Sequence, residues 1–395
     1  MFRSLKTEDL SGKRALVRVD FNVPFQDGII SDDMRLRAAL PTINLLRDQG
    51  AKVILLAHFD RPKGKVVASM SLEPIVTTLS ALIGAPVAFA SDTIGESAHA
   101  KIAALSNGDV VLLENTRFNP GEEANETGFC QALAALGDVY VNDAFSAAHR
   151  AHASTEGVAH LLPSYIGLAM ERELQFLDKA LGKPTHPVMA VVGGAKVSSK
   201  IDLLMNLVTK VDTLAVGGGM ANTFMAARGL AVGKSLCEHD LLELARDIEA
   251  KAKANGCFIL LPSDVVAATA FAAHAPHRLC KAGEVGDDEM ILDAGPQAVA
   301  AIAAAMEASK TIVWNGPLGA FELEPFDAGT VEAARTAAAL AKAGRVIAVA
   351  GGGDTVSALS QAGASDDFTF ISTAGGAFLE WMEGKPLPGV EALKI

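Results

Sequence analysis

Short β-branched runs alternate with longer amphipathic or alanine-rich segments along almost the whole chain, and this constrains the fold more than any other feature. The apolar runs are Ala15–Val19, Lys52–Ala57, Asp109–Leu113, Val139–Val141, Val188–Val192, Thr213–Val216, Phe258–Leu261, Thr311–Trp314, Arg345–Val349 and Phe368–Ile371. Helical patterns lie between them at Glu126–Leu136, Ser198–Thr209, Leu241–Ala254, Gln297–Ala308, Ala328–Ala343 and Thr355–Gln361. Most spacers are long enough for a crossover helix, so parallel pairing is expected. The runs are nearly continuous in apolar residues, as strands covered on both faces are. Ten such strands exceed one comfortable sheet. The reading is α/β, with two Rossmann-like parallel-sheet domains. Pro163, a polar-faced helix over Met170–Leu181 and then Gly182-Lys183-Pro184 suit a boundary, with that helix joining the lobes as a hinge, although a surface helix within one domain has the same pattern. The breakers of Gly384–Gly389 predict a tail running over the surface.

The balance of charge narrows the function classes. Net charge is −12, so general nucleic-acid binding is disfavoured, because a phosphate backbone selects positive surface. The start MFRSLKTEDL carries four charges and leads into no apolar segment, which argues against a secretory leader. The charge-free run Pro74–Ser91 contains Gly84 and Pro86 and reads as helix, turn and strand, not as a membrane span. Cys130, Cys237, Cys257 and Cys280 form no C-x-x-C pair and read as reduced thiols of a cytoplasmic protein.

In open parallel sheets, ligands bind beyond the carboxyl ends of the strands. In the first half these ends carry Asp20-Phe21-Asn22, His58-Phe59-Asp60-Arg61, Glu114-Asn115-Thr116-Arg117 and Asn142-Asp143, the last leading to His149-Arg150-Ala151-His152. Arg35 and Arg37 follow the first loop. One surface arginine is ordinary, but several at successive strand ends of an acidic chain call for an anionic ligand, whose oxygens suit the guanidinium fork. His149 with His152, and His274 with His277, lack a third ligand and read as loop residues, not as a metal site. Asp20 and Asn22 suit either ligand contact or a turn.

In the second half the strand ends are glycine-rich. They read Gly193-Gly194-Ala195-Lys196, Gly217-Gly218-Gly219, Asn315-Gly316-Pro317, Gly351-Gly352-Gly353-Asp354-Thr355 and Ala374-Gly375-Gly376. Bare backbone approaches a ligand closely and offers N–H donors, so five such loops indicate a nucleotide or polyphosphate site. Tight strand-to-helix turns account for one or two of them. Lys196 and Lys200, four apart at a helix start, are expected on one face, placed to neutralise a phosphoryl group. Asp354 reads as an N-cap or a Mg²⁺ ligand. No G-x-G-x-x-G opens a first βαβ unit, which weighs against a nicotinamide-dependent oxidoreductase, the alternative for a two-lobed α/β scaffold. Gly229 to Ser235 is one residue short of a P-loop. A polyanion-binding module finds no aromatic residues interleaved with basic ones.

Together, Val17-Arg18-Val19-Asp20-Phe21-Asn22-Val23-Pro24, His58…Arg61-Pro62-Lys63-Gly64, Glu114-Asn115…Arg117-Phe118, Asn142-Asp143-Ala144-Phe145…His149-Arg150, Gly193-Gly194-Ala195-Lys196-Val197, Trp314-Asn315-Gly316-Pro317 and Gly351-Gly352-Gly353-Asp354-Thr355 resemble the phosphoglycerate kinases, essentially end to end. The resemblance implies a 3-phosphoglycerate-binding domain over residues 1–168, a nucleotide-binding domain over 169–378 and a tail, 379–395, returning to the first domain. It implies a cytoplasmic, hinge-bending glycolytic monomer. Phosphoryl transfer between ATP and the carboxylate of 3-phosphoglycerate would be reversible, giving ADP and 1,3-bisphosphoglycerate with Mg²⁺, and no nucleic-acid or membrane partner is expected.

By matching positions, Asp20, Phe21, Asn22, Arg35, His58, Arg61, Arg117 and Arg150 would hold the phosphoglycerate. Lys200, Gly217, Gly218, Gly219, Asn315, Pro317, Glu322, Gly352, Gly353, Asp354 and Thr355 would hold the nucleotide, Asp354 with the metal. Lys196, Arg35 and the Gly375-Gly376 backbone would stabilise the phosphoryl group in flight. Two positions depart from the family pattern: Asp60 and Ala374 stand where glycine is usual.

Overall fold

A computed structural model describes residues 2–395. The contacts divide the chain into one unit running up to Leu174 and taking in Pro386–Ile395, and a second over Gln175–Lys385. The division falls inside the helix Leu168–Leu177, which continues as a π-helical turn over Asp178–Gly182.

In the first unit the strands are β1 (Arg14–Arg18), β2 (Phe25–Gln26), β3 (Ile29–Ile30), β4 (Lys52–Leu56), β5 (Val87–Ala90), β6 (Val110–Leu113), β7 (Val139–Asn142) and β8 (Ser164–Ile166). β2 and β3 form a small antiparallel hairpin. The others form one six-stranded sheet in the order β5-β6-β4-β1-β7-β8, parallel throughout. All four residues of β6 and of β7 are buried, which explains their unbroken apolar character. Arg18 is in register with Leu56 on one side and Asn142 on the other, so the loops after β1, β4 and β7 emerge level with one another. The tail is docked, not surface-running as its breakers predict. Leu387 and Val390 are buried, Gly389 N–H donates to the Ala148 carbonyl at 2.8 Å, and Asn142 Nδ2 donates to the Gly389 carbonyl at 3.3 Å. A Cβ on Gly389 would come within 3.0 Å of Ala148 Cα. This close approach is why a glycine stands there.

In the second unit the strands are β9 (Val188–Val192), β10 (Thr213–Val216), β11 (Phe258–Leu260), β12 (Asp264–Ala268), β13 (His277–Lys281), β14 (Met290–Ala294), β15 (Thr311–Asn315), β16 (Ile347–Gly351) and β17 (Phe370–Ser372). β11-β10-β9-β15-β16-β17 form the second parallel six-stranded sheet. β13-β12-β14 form an antiparallel sheet that the helix-strand alternation does not foreshadow. β16 starts two residues later than the apolar run implies, because Ile347 is the residue that pairs with Thr311. Buried Trp314 and the helix Ala328–Lys342, with Ala333, Ala334, Ala337 and Ala338 facing inward, fill one face of the parallel sheet. Among the described residues no helix is long and apolar enough to cross a membrane. Cys130, Cys257 and Cys280 are buried, Cys237 is half-buried, and all four are free thiols.

Candidate functional site: an arginine cluster and a glycine-lined cavity

The level strand ends of the first unit gather the cationic side chains. Arg35 donates to Asp20 Oδ1 at 3.2 Å and to the Asn22 carbonyl at 2.9 Å, while Ser146 Oγ holds Asp20 Oδ2 at 2.6 Å. Asn22 Oδ1 in turn accepts from Asp60 N–H at 3.1 Å. Arg117 is buried and donates through Nη1 to the Asp60 carbonyl at 2.8 Å. Its Nε lies 3.4 Å from Glu123 Oε1 but makes no hydrogen bond, so a buried donor is left over for a ligand. Arg150 Nε donates to His149 Nε2 at 3.1 Å.

Two histidines sit among these charges. Burial, then the charges of Arg18, Arg117 and Arg35 and the neighbouring His152, push His58 well below its ordinary value. Burial, with Arg117, Arg150, Arg18 and His149, pushes His152 down to about 4. Both rings are thus held neutral by burial and by the guanidinium groups around them. Arg61 is exposed, and Phe21 is fully buried in the apolar core, so only its backbone borders the site. Arg37 is tied to Asp33 on the surface instead.

Two further groups face the cluster. His152, in the loop after β7, lies close enough to Arg117, Arg150 and Arg18 to feel their charge. Arg18 sits on β1 itself, only 1 % exposed. The signal was a charge inside an apolar strand, which is tolerated only where something pairs it.

The two departures from the family pattern are resolved differently. Asp60 has φ 51°, the left-handed conformation that glycine adopts freely and aspartate tolerates. Its backbone is bonded to Asn22 and Arg117, so replacement by glycine relieves the conformation and removes one negative charge from that loop. Asp60→Gly is therefore expected to lower KM for the anionic substrate by roughly three- to tenfold with little change in kcat, measured by steady-state kinetics at fixed ionic strength. Ala374 is not among the left-handed residues, and the unusual backbone falls on Gly375 at φ 47°. Alanine therefore fits where it stands.

In the second unit a cavity of about 670 Å³ opens at the strand ends. Gly194, Gly218, Gly219, Pro317, Glu322 and Asp354 line it among the expected residues. Met225, Leu236, Phe271 and Leu292 add an apolar wall suited to a planar base, which scattered sequence positions do not reveal. Lys234, from the near-P-loop segment, also lines it. Several glycines have a second purpose. A Cβ on Gly193 would lie 1.7 Å from the Pro317 carbonyl oxygen, one on Gly219 2.3 Å from that of Ala195, and one on Gly316 2.2 Å from that of Gly193. The loops are thus pressed backbone to backbone. Gly353 and Gly375, by contrast, face open space.

Asn315 and Thr355 serve behind the cavity. Asn315 Nδ2 donates to the Gly351 carbonyl at 2.8 Å, and Thr355 Oγ1 accepts from Gly316 N–H at 2.7 Å, tying β15 and β16 ends together. Lys196 and Lys200 are not on one helical face. A 3₁₀ turn, Val197–Ser199, separates them, and the α-helix starts only at Ile201. Lys196 is exposed, whereas Lys200 folds inward and donates to the carbonyls of Gly193 at 2.7 Å and Asn315 at 3.2 Å. Burial pushes Lys200 down to about 8, with Asp354 opposing.

Asp354 stands in the first turn of the helix Gly353–Gln361 and lines the cavity. Among the described residues no cluster of three or more potential ligands could cage a metal. Mg²⁺ typically takes one or two carboxylates, with water and phosphate oxygens completing its shell. The residues therefore fit a metal that arrives with a nucleotide.

An oxyanion-binding arginine cluster and a nucleotide-sized, glycine-lined cavity in one chain define a phosphotransferase. The phosphoglycerate kinase family model matches residues 5–385. A phosphoglycerate kinase from Caulobacter vibrioides is 63 % identical over 393 residues, covering 100 % of this chain and 99 % of that protein, and one from Azorhizobium caulinodans is 60 % identical at the same coverage. The structure of phosphoglycerate kinase from Coxiella burnetii superposes with a TM-score of 0.93 at 42 % identity, covering 100 % of this chain and 99 % of that one. That from Pyrococcus horikoshii gives 0.81 at 31 %, with 100 % and 98 % covered. The chain belongs to the phosphoglycerate kinase family, and the oxidoreductase alternative is withdrawn.

Proposed function

We propose that the chain transfers a phosphoryl group reversibly between ATP and the carboxylate of 3-phosphoglycerate, as a cytoplasmic glycolytic monomer that uses Mg²⁺. The observation that carries this reading is the pairing of the arginine cluster with the glycine-lined cavity in a member of this family. Arg35, Arg61, Arg117 and Arg150, with Asp20, Asn22 and His58, hold the phosphoglycerate. Its carboxylate is ionised at neutral pH, so the nucleophile needs no general base. Lys200, Glu322 and the Gly352 to Thr355 turn hold the nucleotide, with Gly217 to Gly219 and Pro317 toward the base. Asp354 holds Mg²⁺, which neutralises phosphate charge. Lys196, Arg35 and the Gly375-Gly376 backbone stabilise the group in transit. Transfer requires the acceptor oxygen and the γ-phosphorus to meet with water excluded, so both ligands must be loaded before the productive state forms.

Comparing 3-phosphoglycerate with glycerate tests the reading. Glycerate keeps the carboxylate and loses the phosphate that the arginines hold, so kcat/KM is expected to fall by at least about 10³-fold, and equal turnover of the two would refute it. Lys200 adds a pH dependence. Its folded pKa of about 8 lies below the unfolded value, so on raising the pH the ammonium is lost earlier in the native chain. Because the charged form attracts phosphate, kcat/KM for ATP is expected to decline above about pH 8 in wild type and to stay flat there in Lys200→Met. The same shift makes folding stability rise with pH between about 8 and 10.5, since the unfolded chain then holds the extra proton.

A further inference from the structure

Arg18 and His58 form a pair whose chemistry admits one arrangement. Arg18 Nη2 lies 2.9 Å from His58 Nδ1. A guanidinium has only donors, so Nδ1 accepts with its lone pair and the ring proton sits on Nε2. No acceptor within the protein meets Nε2 among the described residues. Arg18 is itself fixed from behind. Its Nε donates to Ser154 Oγ at 2.9 Å and its Nη1 to the Val19 carbonyl at 2.5 Å. Ser154 in turn donates to the fully buried Glu122, from Oγ to Oε1 at 2.5 Å and from N–H to Oε2 at 3.0 Å, and Thr116 Oγ1 adds a third donor at 3.3 Å. A buried line, Glu122–Ser154–Arg18–His58, thus ends on a histidine of the phosphoglycerate site.

We propose that Arg18 is a positioning residue that holds His58 as the neutral Nε2–H tautomer, so the histidine meets a substrate oxyanion as an aimed donor and not as another fixed charge. The proposal rests on the arginine cluster being the phosphoglycerate site. The surroundings of the ring agree with it. The groups acting on His58 are Arg18 on β1, Arg117 after β6, Arg35 on the helix Met34–Asp48 and His152 in the loop after β7. None is a carboxylate, so a proton on Nδ1 would lose the Arg18 hydrogen bond and add a cation to a cationic cluster. Substrate binding then draws no proton onto His58.

The test is ¹⁵N NMR of the ring nitrogens in the full chain, free and with 3-phosphoglycerate, with His58 assigned by the signals missing from His58→Gln. The expected result is an unprotonated Nδ1 and a protonated Nε2 that do not change between about pH 5.5 and 8, where an ordinary histidine titrates. An Nδ1–H tautomer, or titration near pH 6.5, overturns the proposal. In Arg18→Met the neutral ring is expected to lose its fixed tautomer, with Nδ1–H appearing beside Nε2–H, and KM for 3-phosphoglycerate to rise, while burial and the remaining arginines keep the ring from protonating. Unchanged ring behaviour there overturns it as well. If that variant fails to fold, the wild-type spectrum still decides. Turnover of ATP with 3-phosphoglycerate is scored separately, so loss of the kinase reading is distinguishable from loss of this one.

Discussion

Lys196→Ala is expected to lower kcat by about 10²- to 10³-fold while KM for ATP and for 3-phosphoglycerate shifts less than about threefold. The reason lies in how differently the two lysines of the loop are held. Lys200 is half-buried and hydrogen-bonded to the carbonyls of Gly193 and Asn315, and is therefore part of the resting architecture. Lys196 is exposed, N-caps a 3₁₀ turn without a side-chain bond, and stays free to follow charge as it moves between donor and acceptor. A charge that engages the phosphoryl group only in transit contributes to the barrier and little to ground-state affinity. Lys196→Arg keeps the charge but changes its shape and is expected to recover part of kcat. Steady-state kinetics with both substrates varied checks this. A rise in KM at unchanged kcat would assign Lys196 to ground-state binding.

Gly316→Ala has the second large effect, on stability and on the nucleotide site together. Gly316 has φ 104°, a region that side chains rarely enter, and a Cβ there would lie 2.2 Å from the Gly193 carbonyl oxygen and 2.6 Å from its carbon. Backbone, not a flexible side chain, blocks the methyl group, so relief requires separating the loops after β9 and β15. The left-handed strain and the clash each cost about 1–3 kcal/mol, so a loss on the order of 4 kcal/mol is expected. The same displacement breaks the Gly316 N–H bond to Thr355 and disturbs the carbonyls that Lys200 holds, so KM for ATP should rise more than KM for 3-phosphoglycerate. Gly229→Ala is a control. It shares a positive φ, 83°, but has nothing within 4 Å of its Cβ, so it tests strain without the clash. Thermal unfolding and ATP kinetics on both variants separate the two contributions. Equal losses would show that the loop contact is unimportant.

How much of this was legible in the sequence follows from burial. The central strands β1, β4, β6, β7, β9 and β15 are covered on both faces and announce themselves as apolar runs. β13 is mostly exposed, and its residues His277, Arg278, Leu279, Cys280 and Lys281 carry no apolar run, so this edge strand of the antiparallel sheet had no such signal, although β12 and β14 are largely apolar. β2 and β3 are two residues each, too short for any period. The helix expected from Ser198 is delayed to Ile201 because Lys200 takes φ −139°, ψ 25° to send its side chain inward. The tail misled because breakers also allow close packing, as Gly389 does against Ala148.

The site divides in the same way. Residues following a strand were readable because position beyond a strand end is a functional signal in parallel sheets. Arg18 lies inside a strand and so escaped that rule. Phe21 and Thr355 lie in readable loops, but their side chains are buried within the scaffold. Met225, Leu236 and Phe271 come from distant segments, and only the fold brings them to one cavity wall. Glycine was ambiguous by nature. Gly316 is required by another backbone, whereas Gly353 faces open space, and the letter is the same in both.

Passing phosphate from ATP to a carboxylate leaves an acyl phosphate as the product. Acyl phosphates react with hydroxylamine and ordinary phosphate esters do not, so trapping with hydroxylamine reads the product directly. With the purified chain, ATP, Mg²⁺ and 3-phosphoglycerate, one hydroxamate is expected per ADP formed, and none when either substrate is left out or a chelator removes the metal. ADP formed without hydroxamate, or no ADP at all with every component present, would contradict the account.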